Sequence, residues 1–239
     1  MKKVLKKILV LFLALLLVTG LGFVSYFSVY YKAKTYETSD RSVTIREEDD
    51  HIALIPKAYE DVFIFYPGAK VEAEAYVPLL KRCAEKGVLC LIVKPPLHFA
   101  LLDVDAADAL AKLYPQGKRY FLGGHSLGGV CASMYVSRHP SDYEGLILLA
   151  SYSNRDLSSS DLEVLDIYGD RDEVLNKEKH EEALKYLPSD FRQLVIKGGN
   201  HAWFGSYGPQ KGDGEALIRE EEQQDLTADA IVDFIRNAS

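Results

Sequence analysis

The chain has 239 residues, 48% hydrophobic and 26% charged, which allows one sizeable core and something extra but not two large domains. Its formal charge is −7, and the six lysines of residues 1–34, with no acid among them, leave −13 for the rest. A body that acidic excludes nucleic acid and anionic membrane surfaces as natural partners. Cys83, Cys90 and Cys131, odd in number and each in an apolar setting, read as buried small hydrophobes rather than a disulfide framework or a metal site.

The extra lies at the N-terminus. Four lysines in residues 1–7 precede an uncharged run from Ile8 to Tyr31, which as a helix would measure roughly 36 Å against a hydrocarbon core of about 30 Å. The run continues past Val18-Thr19-Gly20, a poor cleavage site, through Phe23, Tyr26, Phe27 and Tyr30. It therefore reads as an uncleaved anchor, with a cleaved signal peptide as the alternative. The flanking lysines place the N-terminus in the cytoplasm and the remainder outside. Residues 1–34 are expected to be the lysine-led anchor, residues 35–41 the polar tether, and 42–239 the exported domain.

Two β-prone runs, Ser42–Glu47 and His51–Pro56, open that domain as a hairpin. From Asp61 a regular alternation begins. Strands are expected at 62–66, 88–93, 119–123, 146–150, 164–168 and 191–196. Helices are expected from Tyr76 to Ala84, over 105–114, after Ser126, over 177–187 and over 227–237. Strands apolar on both faces, alternating with helices, give a doubly wound, mostly parallel α/β sheet covered on both sides.

The stretch Phe121-Leu122-Gly123-Gly124-His125-Ser126-Leu127-Gly128-Gly129 organises this pattern. Gly124 and Gly128 flank Ser126 in the G-x-S-x-G spacing of a nucleophile elbow, where small residues let strand and helix backbones approach and a sharp turn pushes the hydroxyl out. The spacing is weakly specific alone; a β-prone run before it and a helical pattern after it give it weight. Two later strand ends carry matching chemistry, Gly169-Asp170-Arg171-Asp172 and Gly198-Gly199-Asn200-His201. Ligands meet such sheets beyond the carboxyl ends of the strands, and the order serine, acid, histidine is that of a hydrolytic triad. Ser126 would be the nucleophile, His201 the base that takes and returns its proton, and Asp172 the carboxylate that holds the imidazole, with Asp170 a rival in the same turn. The N–H groups of Ala69, past Pro67-Gly68, and Leu127, at the head of the elbow helix, are candidate oxyanion donors.

Other residues carry plainer readings. His98, after Pro95-Pro96, and Trp203, with Phe204 and Tyr207, are candidate pocket walls. His125 is expected to pack or hydrogen-bond locally. His51, His139 and His180 are expected to be structural, in hairpin, helix-end and helix-surface settings, and Glu220-Glu221-Glu222 a solvated helix start. No pattern calls for a metal, nucleotide or other cofactor.

These residues resemble the α/β-hydrolase superfamily, and within it the small bacterial dienelactone-hydrolase-like group known as α/β-hydrolase fold family 5. The carrying segments are Phe65-Tyr66-Pro67-Gly68-Ala69-Lys70-Val71, Gly124 to Gly129, Ile167 to Asp172, and above all Gly198 to Gly208, running on through Gly212-Asp213-Gly214 to Arg219-Glu220-Glu221. The resemblance implies a serine hydrolase with Ser126, Asp172 and His201 as its triad. Dienelactone hydrolases proper use cysteine where this chain has Ser126, so their substrate does not transfer. Larger relatives insert a lid where this chain has only Ser151 to Asp161, which implies an open site for a small or polymer-borne ester. The expected function is a membrane-anchored serine ester hydrolase working through an acyl-enzyme. Acyl transfer by the same residues, or an idle binding domain on the same fold, are the alternatives.

Overall fold

A computed structural model describes residues 2–36 and 42–238, so residues 37–41 of the expected tether lie outside the described residues. The chain divides into two compact units, Met1–Tyr30 and Tyr31–Ser239. The first is a single helix, α1 (Lys2–Ser28), whose segment Leu11–Ser28 is long and apolar enough to cross a membrane. Within it the Thr19 hydroxyl donates back to the Leu15 carbonyl at 2.9 Å, which satisfies a polar group that its neighbours would strand.

The second unit is an eight-stranded sheet in the order β1-β2-β4-β3-β5-β6-β7-β8. Its strands are β1 (Val43–Glu47), β2 (His51–Pro56), β3 (Asp61–Tyr66), β4 (Leu89–Val93), β5 (Arg119–His125), β6 (Gly145–Leu149), β7 (Glu163–Gly169) and β8 (Arg192–Ile196). The hairpin β1-β2 pairs antiparallel onto the edge at β4, and every pairing from β4 through β3 to β8 is parallel. Helices α2 (Val77–Ala84), α3 (Ala106–Leu113), α4 (Leu127–Val136) and α5 (Lys177–Ala183) fall between parallel strands, and α6 (Glu220–Asn237) closes the chain.

Alternation along each strand builds two cores. Phe63, Phe65, Cys90, Ile92, Phe121, Ile147 and Ile167 point to the layer shared with α2 and α6. Val62, Ile64, Leu89, Leu91, Leu122, Leu146 and Val164 point to the layer shared with α3 and α4. Because both faces are covered, these strands read as unbroken apolar runs, and each buried large side chain contributes about 1.5–3 kcal/mol. The three cysteines are free and buried in these layers, as small hydrophobes should be.

The topology also creates the crevice. β4 lies on one side of β3 and β5 on the other, so the loops leaving β3 and β5 diverge at a switch point. Tyr66 and Gly124 are register partners there, which starts Pro67 and Ser126 from neighbouring strand ends.

The structure departs from the expected elements in three places. The closing helix begins at Glu220, seven residues before the expected Thr227. Its first turns bury Gln223, Gln224 and Thr227, polar residues that apolar periodicity does not count. Glu220 is not simply solvated, because its carboxylate pairs with Lys34 at 2.6 Å and is only 14% exposed. His180 is buried rather than on a helix surface, bonded through Nε2 to Asp166 at 2.8 Å. Residues 31–36, expected within the anchor and tether, belong to the second unit and hydrogen-bond to it.

Candidate active site

Ser126 stands between the last residue of β5 and the first of α4, at φ 53°, ψ −124°, a backbone conformation that costs an L-residue of order 1–3 kcal/mol. The surroundings over-determine it. A Cβ on Gly124 would lie 2.5 Å from the Gly128 carbonyl carbon, and one on Gly128 would lie 2.1 Å from the Tyr66 carbonyl oxygen. Only glycine lets strand and helix come so close. The Ser126 N–H donates to the Leu149 carbonyl at 2.9 Å, and its own carbonyl accepts from the Ser151 hydroxyl at 2.7 Å. The turn is thus tied to the end of β6 on both sides, and the side chain is left partly exposed.

The acid and histidine turns are interlocked main chain to main chain. A Cβ on Gly169 would lie 2.2 Å from the Gly199 carbonyl oxygen, and the Arg171 N–H donates to that same oxygen at 2.9 Å. Asp170 is exposed and accepts the Gly198 N–H at 2.7 Å, so it binds the histidine turn's backbone. Asp172 is fully buried, and its Oδ2 meets His201 Nδ1 at 2.8 Å. Its Oδ1 accepts the N–H groups of Val174 and Leu175 at 2.9 and 2.8 Å, which fixes the carboxylate. Of the two aspartates in the turn, it is therefore Asp172 that the structure joins to the imidazole.

His201 is itself 1% exposed. With Nδ1 engaged by a carboxylate, its neutral form leaves Nε2 unprotonated, and that buried nitrogen has no hydrogen-bond partner among the described residues. Its ring lies 4.5 Å, centroid to centroid, from His125, the residue immediately before Ser126. The histidine is thereby packed beside the elbow, although its Nε2 and the serine hydroxyl are not hydrogen-bonded to each other here.

His125 does bond locally in space but not in sequence. The Gly68 N–H donates to the Tyr76 hydroxyl at 3.0 Å, and that hydroxyl reaches His125 Nδ1 at 2.8 Å. Burial, and then the proximity of His201, hold the His125 imidazole well below its ordinary pKa, so it stays neutral beneath its neighbour. Burial likewise raises the Tyr76 phenol far above its ordinary range. The chain links Gly68 to the elbow, and Gly68 must lack a side chain because a Cβ would lie 2.9 Å from both His125 Nδ1 and the Tyr76 oxygen.

The two expected oxyanion donors lie in the loop after β3 and at the head of α4. The Gly68 carbonyl accepts the Val71 N–H at 3.3 Å, and in a trans, planar peptide this turns the Ala69 N–H the opposite way. Leu127 is the first residue of α4, where an N–H has no intrahelical acceptor. Of the candidate pocket residues, the structure shows framework contacts. His98, at φ 54°, uses its carbonyl to accept the Lys70 N–H at 2.7 Å, and Trp203 packs half-buried against the α6 layer. Phe204 is buried against His125, ring centroids 5.7 Å apart.

Sequence reasoning missed Tyr76, which reads as one more apolar position of a helix, and Asp213. The Asp213 carboxylate accepts the N–H groups of His201 at 3.2 Å and Ala202 at 2.8 Å, clamping the backbone that carries the histidine. Only its place in a Gly-Asp-Gly tripeptide near His201 could have drawn notice. Gln223 was missed too. Its amide accepts the Asn200 N–H at 2.9 Å and donates to the Asn200 carbonyl at 2.8 Å, as a strand neighbour would.

Many solved structures resemble this one, among them three at low sequence identity. A predicted CIB-like hydrolase from Thermoplasma acidophilum is 15% identical with a TM-score of 0.60, over 80% of this chain and 99% of that one. Est1E from Butyrivibrio proteoclasticus is 16% identical with a TM-score of 0.59, over 82% and 98%. TT1662 from Thermus thermophilus is 16% identical with a TM-score of 0.59, over 81% and 97%. These likenesses speak for the fold, and none of the three is named as a dienelactone hydrolase. No curated protein matches the chain. Residues 62–225 match the family model described as alpha/beta hydrolase family, a span that takes in β3, the elbow, the acid turn and the histidine turn, and the chain therefore belongs to that family.

Proposed function

We propose that this member of the hydrolase family is a serine ester hydrolase, tethered to a membrane by α1 with its globular unit outside the cytoplasm. One observation carries the reading: a buried Asp172–His201 pair, with the imidazole Nε2 unpartnered among the described residues, packs against the residue next to a serine held in an elbow. In this reading the Ser126 Oγ attacks the ester carbonyl carbon while His201 Nε2 takes the hydroxyl proton. The carbonyl π bond opens to an oxyanion received by the N–H groups of Ala69 and Leu127. Collapse breaks the bond to the alkoxide, which leaves with the proton from Nε2. Water then repeats the sequence on the acyl-enzyme and regenerates the hydroxyl. Asp172 stays ionised and steadies the imidazolium, and neutral His125 adds no competing charge.

The link between β6 and β7 favours a small or polymer-borne acyl group. It contains no helix, and it tucks Leu157 into the core while the Leu157 N–H donates to the Tyr186 carbonyl at 2.7 Å. The test is a fluorophosphonate probe together with Ser126→Ala. The wild type should label at Ser126 and hydrolyse short aryl esters, and the variant should do neither while remaining folded. An unlabelled wild type, or a variant that keeps its turnover, would reject the reading. External protease acting on intact cells should digest the globular unit but leave a membrane-held N-terminal fragment, and full protection would reject the location.

A further inference from the structure

The loop after β3 is braced by a segment far from it in sequence. Lys70 occupies the left-handed region at φ 60°, which a residue with a long side chain adopts only when held there. Two bonds hold it. Its N–H donates to the His98 carbonyl at 2.7 Å, and its carbonyl accepts the Tyr31 N–H at 2.7 Å. Tyr31 returns the favour one peptide on, its carbonyl accepting the Glu72 N–H at 3.0 Å, so that Tyr31 and Val71 form a parallel β-bridge. The Glu72 carboxylate in turn accepts the Ala33 N–H at 2.7 Å.

The same segment grips the loop that carries His201. The Lys34 N–H donates to the Ser206 carbonyl at 2.8 Å, while the Tyr31 hydroxyl accepts the Lys211 N–H at 3.1 Å. The Tyr31 ring lies 5.4 Å from that of Tyr207, centroid to centroid. Tyr31, Ala33 and Lys34 thus tie the two loops together: the main-chain groups of Tyr31 and Ala33 bond to the loop after β3, and the Lys34 N–H and the Tyr31 hydroxyl bond to the histidine loop. A polar segment that only connected two units would need none of these bonds.

We infer that residues 31–36 are a positioning strap for the active site. They fix the turn from Gly68 to Lys70, and with it the direction of the Ala69 N–H, against the loop bearing His201. The inference rests on the proposed hydrolase reading, because only there does the Ala69 N–H receive an oxyanion. None of the strap residues touches substrate. Their effect is on transition-state alignment, which moves kcat rather than KM.

The experiment uses the full chain in detergent, with a short soluble aryl ester. Tyr31→Pro removes the N–H that holds the Lys70 carbonyl, and Glu72→Ala removes the carboxylate that holds Ala33. Deleting one oxyanion donor outright costs about 10²–10³ in kcat, so loosening one should cost about 10- to 100-fold. KM should stay within about threefold and the pH midpoint of kcat unmoved, since His201 and Asp172 are untouched. A general loss of folding would instead lower the active fraction titrated by fluorophosphonate. Glu72→Asp should recover part of the kcat lost in Glu72→Ala. If both variants fold and turn over within twofold of wild type, the strap assignment is wrong. It is also wrong if Tyr31→Pro loses only active fraction while Glu72→Ala behaves as wild type. Failure of the hydrolase reading looks different, because the wild type itself would then not label at Ser126.

Discussion

Two buried Asp–His pairs lie within reach of strand β7, and their contrast shows what makes one a candidate for chemistry. In both, carboxylate and imidazole meet at 2.8 Å and are almost wholly shielded from water. Asp166 sits in the middle of β7, holds His180 by Nε2 and also accepts the Gln193 amide at 2.9 Å. That pair closes a gap between strand and helix. Asp172 sits past the end of β7, holds His201 by Nδ1 and leaves Nε2 without a partner beside the elbow. Residue types and burial are the same in the two pairs. What differs is the position relative to the carboxyl edge of the sheet, and the nitrogen left over.

The contrast can be broken most sharply at the edge pair. His201→Ala or Ser126→Ala should lower kcat by about 10⁴- to 10⁶-fold, with the urea midpoint of unfolding little changed for Ser126→Ala. Asp172→Asn should lower kcat by about 10⁴-fold through the wrong imidazole tautomer, whereas Asp170→Asn, two positions away in the same turn, should cost less than about tenfold. Equal effects from the two aspartates would erase the distinction that the hydrogen bonds draw.

The mid-strand pair should respond in the opposite currency. His180→Ala leaves a buried carboxylate short of a partner and should cost about 3–5 kcal/mol of stability by urea titration, while kcat per active site stays within about twofold. A kcat loss there without loss of stability would mean that the second pair also serves the chemistry.

A third histidine sharpens the comparison through pH. Burial holds His125 neutral in the folded state, whereas in the unfolded chain it protonates near its ordinary value of about 6.5. Below that value the unfolded state binds the extra proton, so folded stability falls as the pH drops, by up to about 1.4 kcal/mol per pH unit for one group. Denaturant titrations at several values between pH 7.5 and 5 should show this slope, and His125→Gln should flatten it. The smallest effect belongs to the surface. Lys112→Ala removes an exposed i,i+4 pair with Asp108 at 2.8 Å and should leave the urea midpoint of unfolding unchanged.

Periodicity and turn residues alone made the strands, the order of helices, the apolar N-terminal helix and the elbow legible, because each is set by contacts a few residues apart. Ser126, Asp172 and His201 could be named because each follows a strand, and a parallel sheet brings its strand ends to one edge whatever the details. The choice between Asp172 and Asp170 needed coordinates. It depends on the Gly169 backbone lying against Gly199, which leaves Asp170 facing a main-chain N–H and turns Asp172 inward. Tyr76, Gln223 and the segment from Tyr31 to Tyr36 had no local signature at all, and Asp213 had only its place in a Gly-Asp-Gly tripeptide. Each works by bonding to groups that lie from 8 to 180 residues away, and no pattern in neighbouring residues records which group a folded chain will present to them.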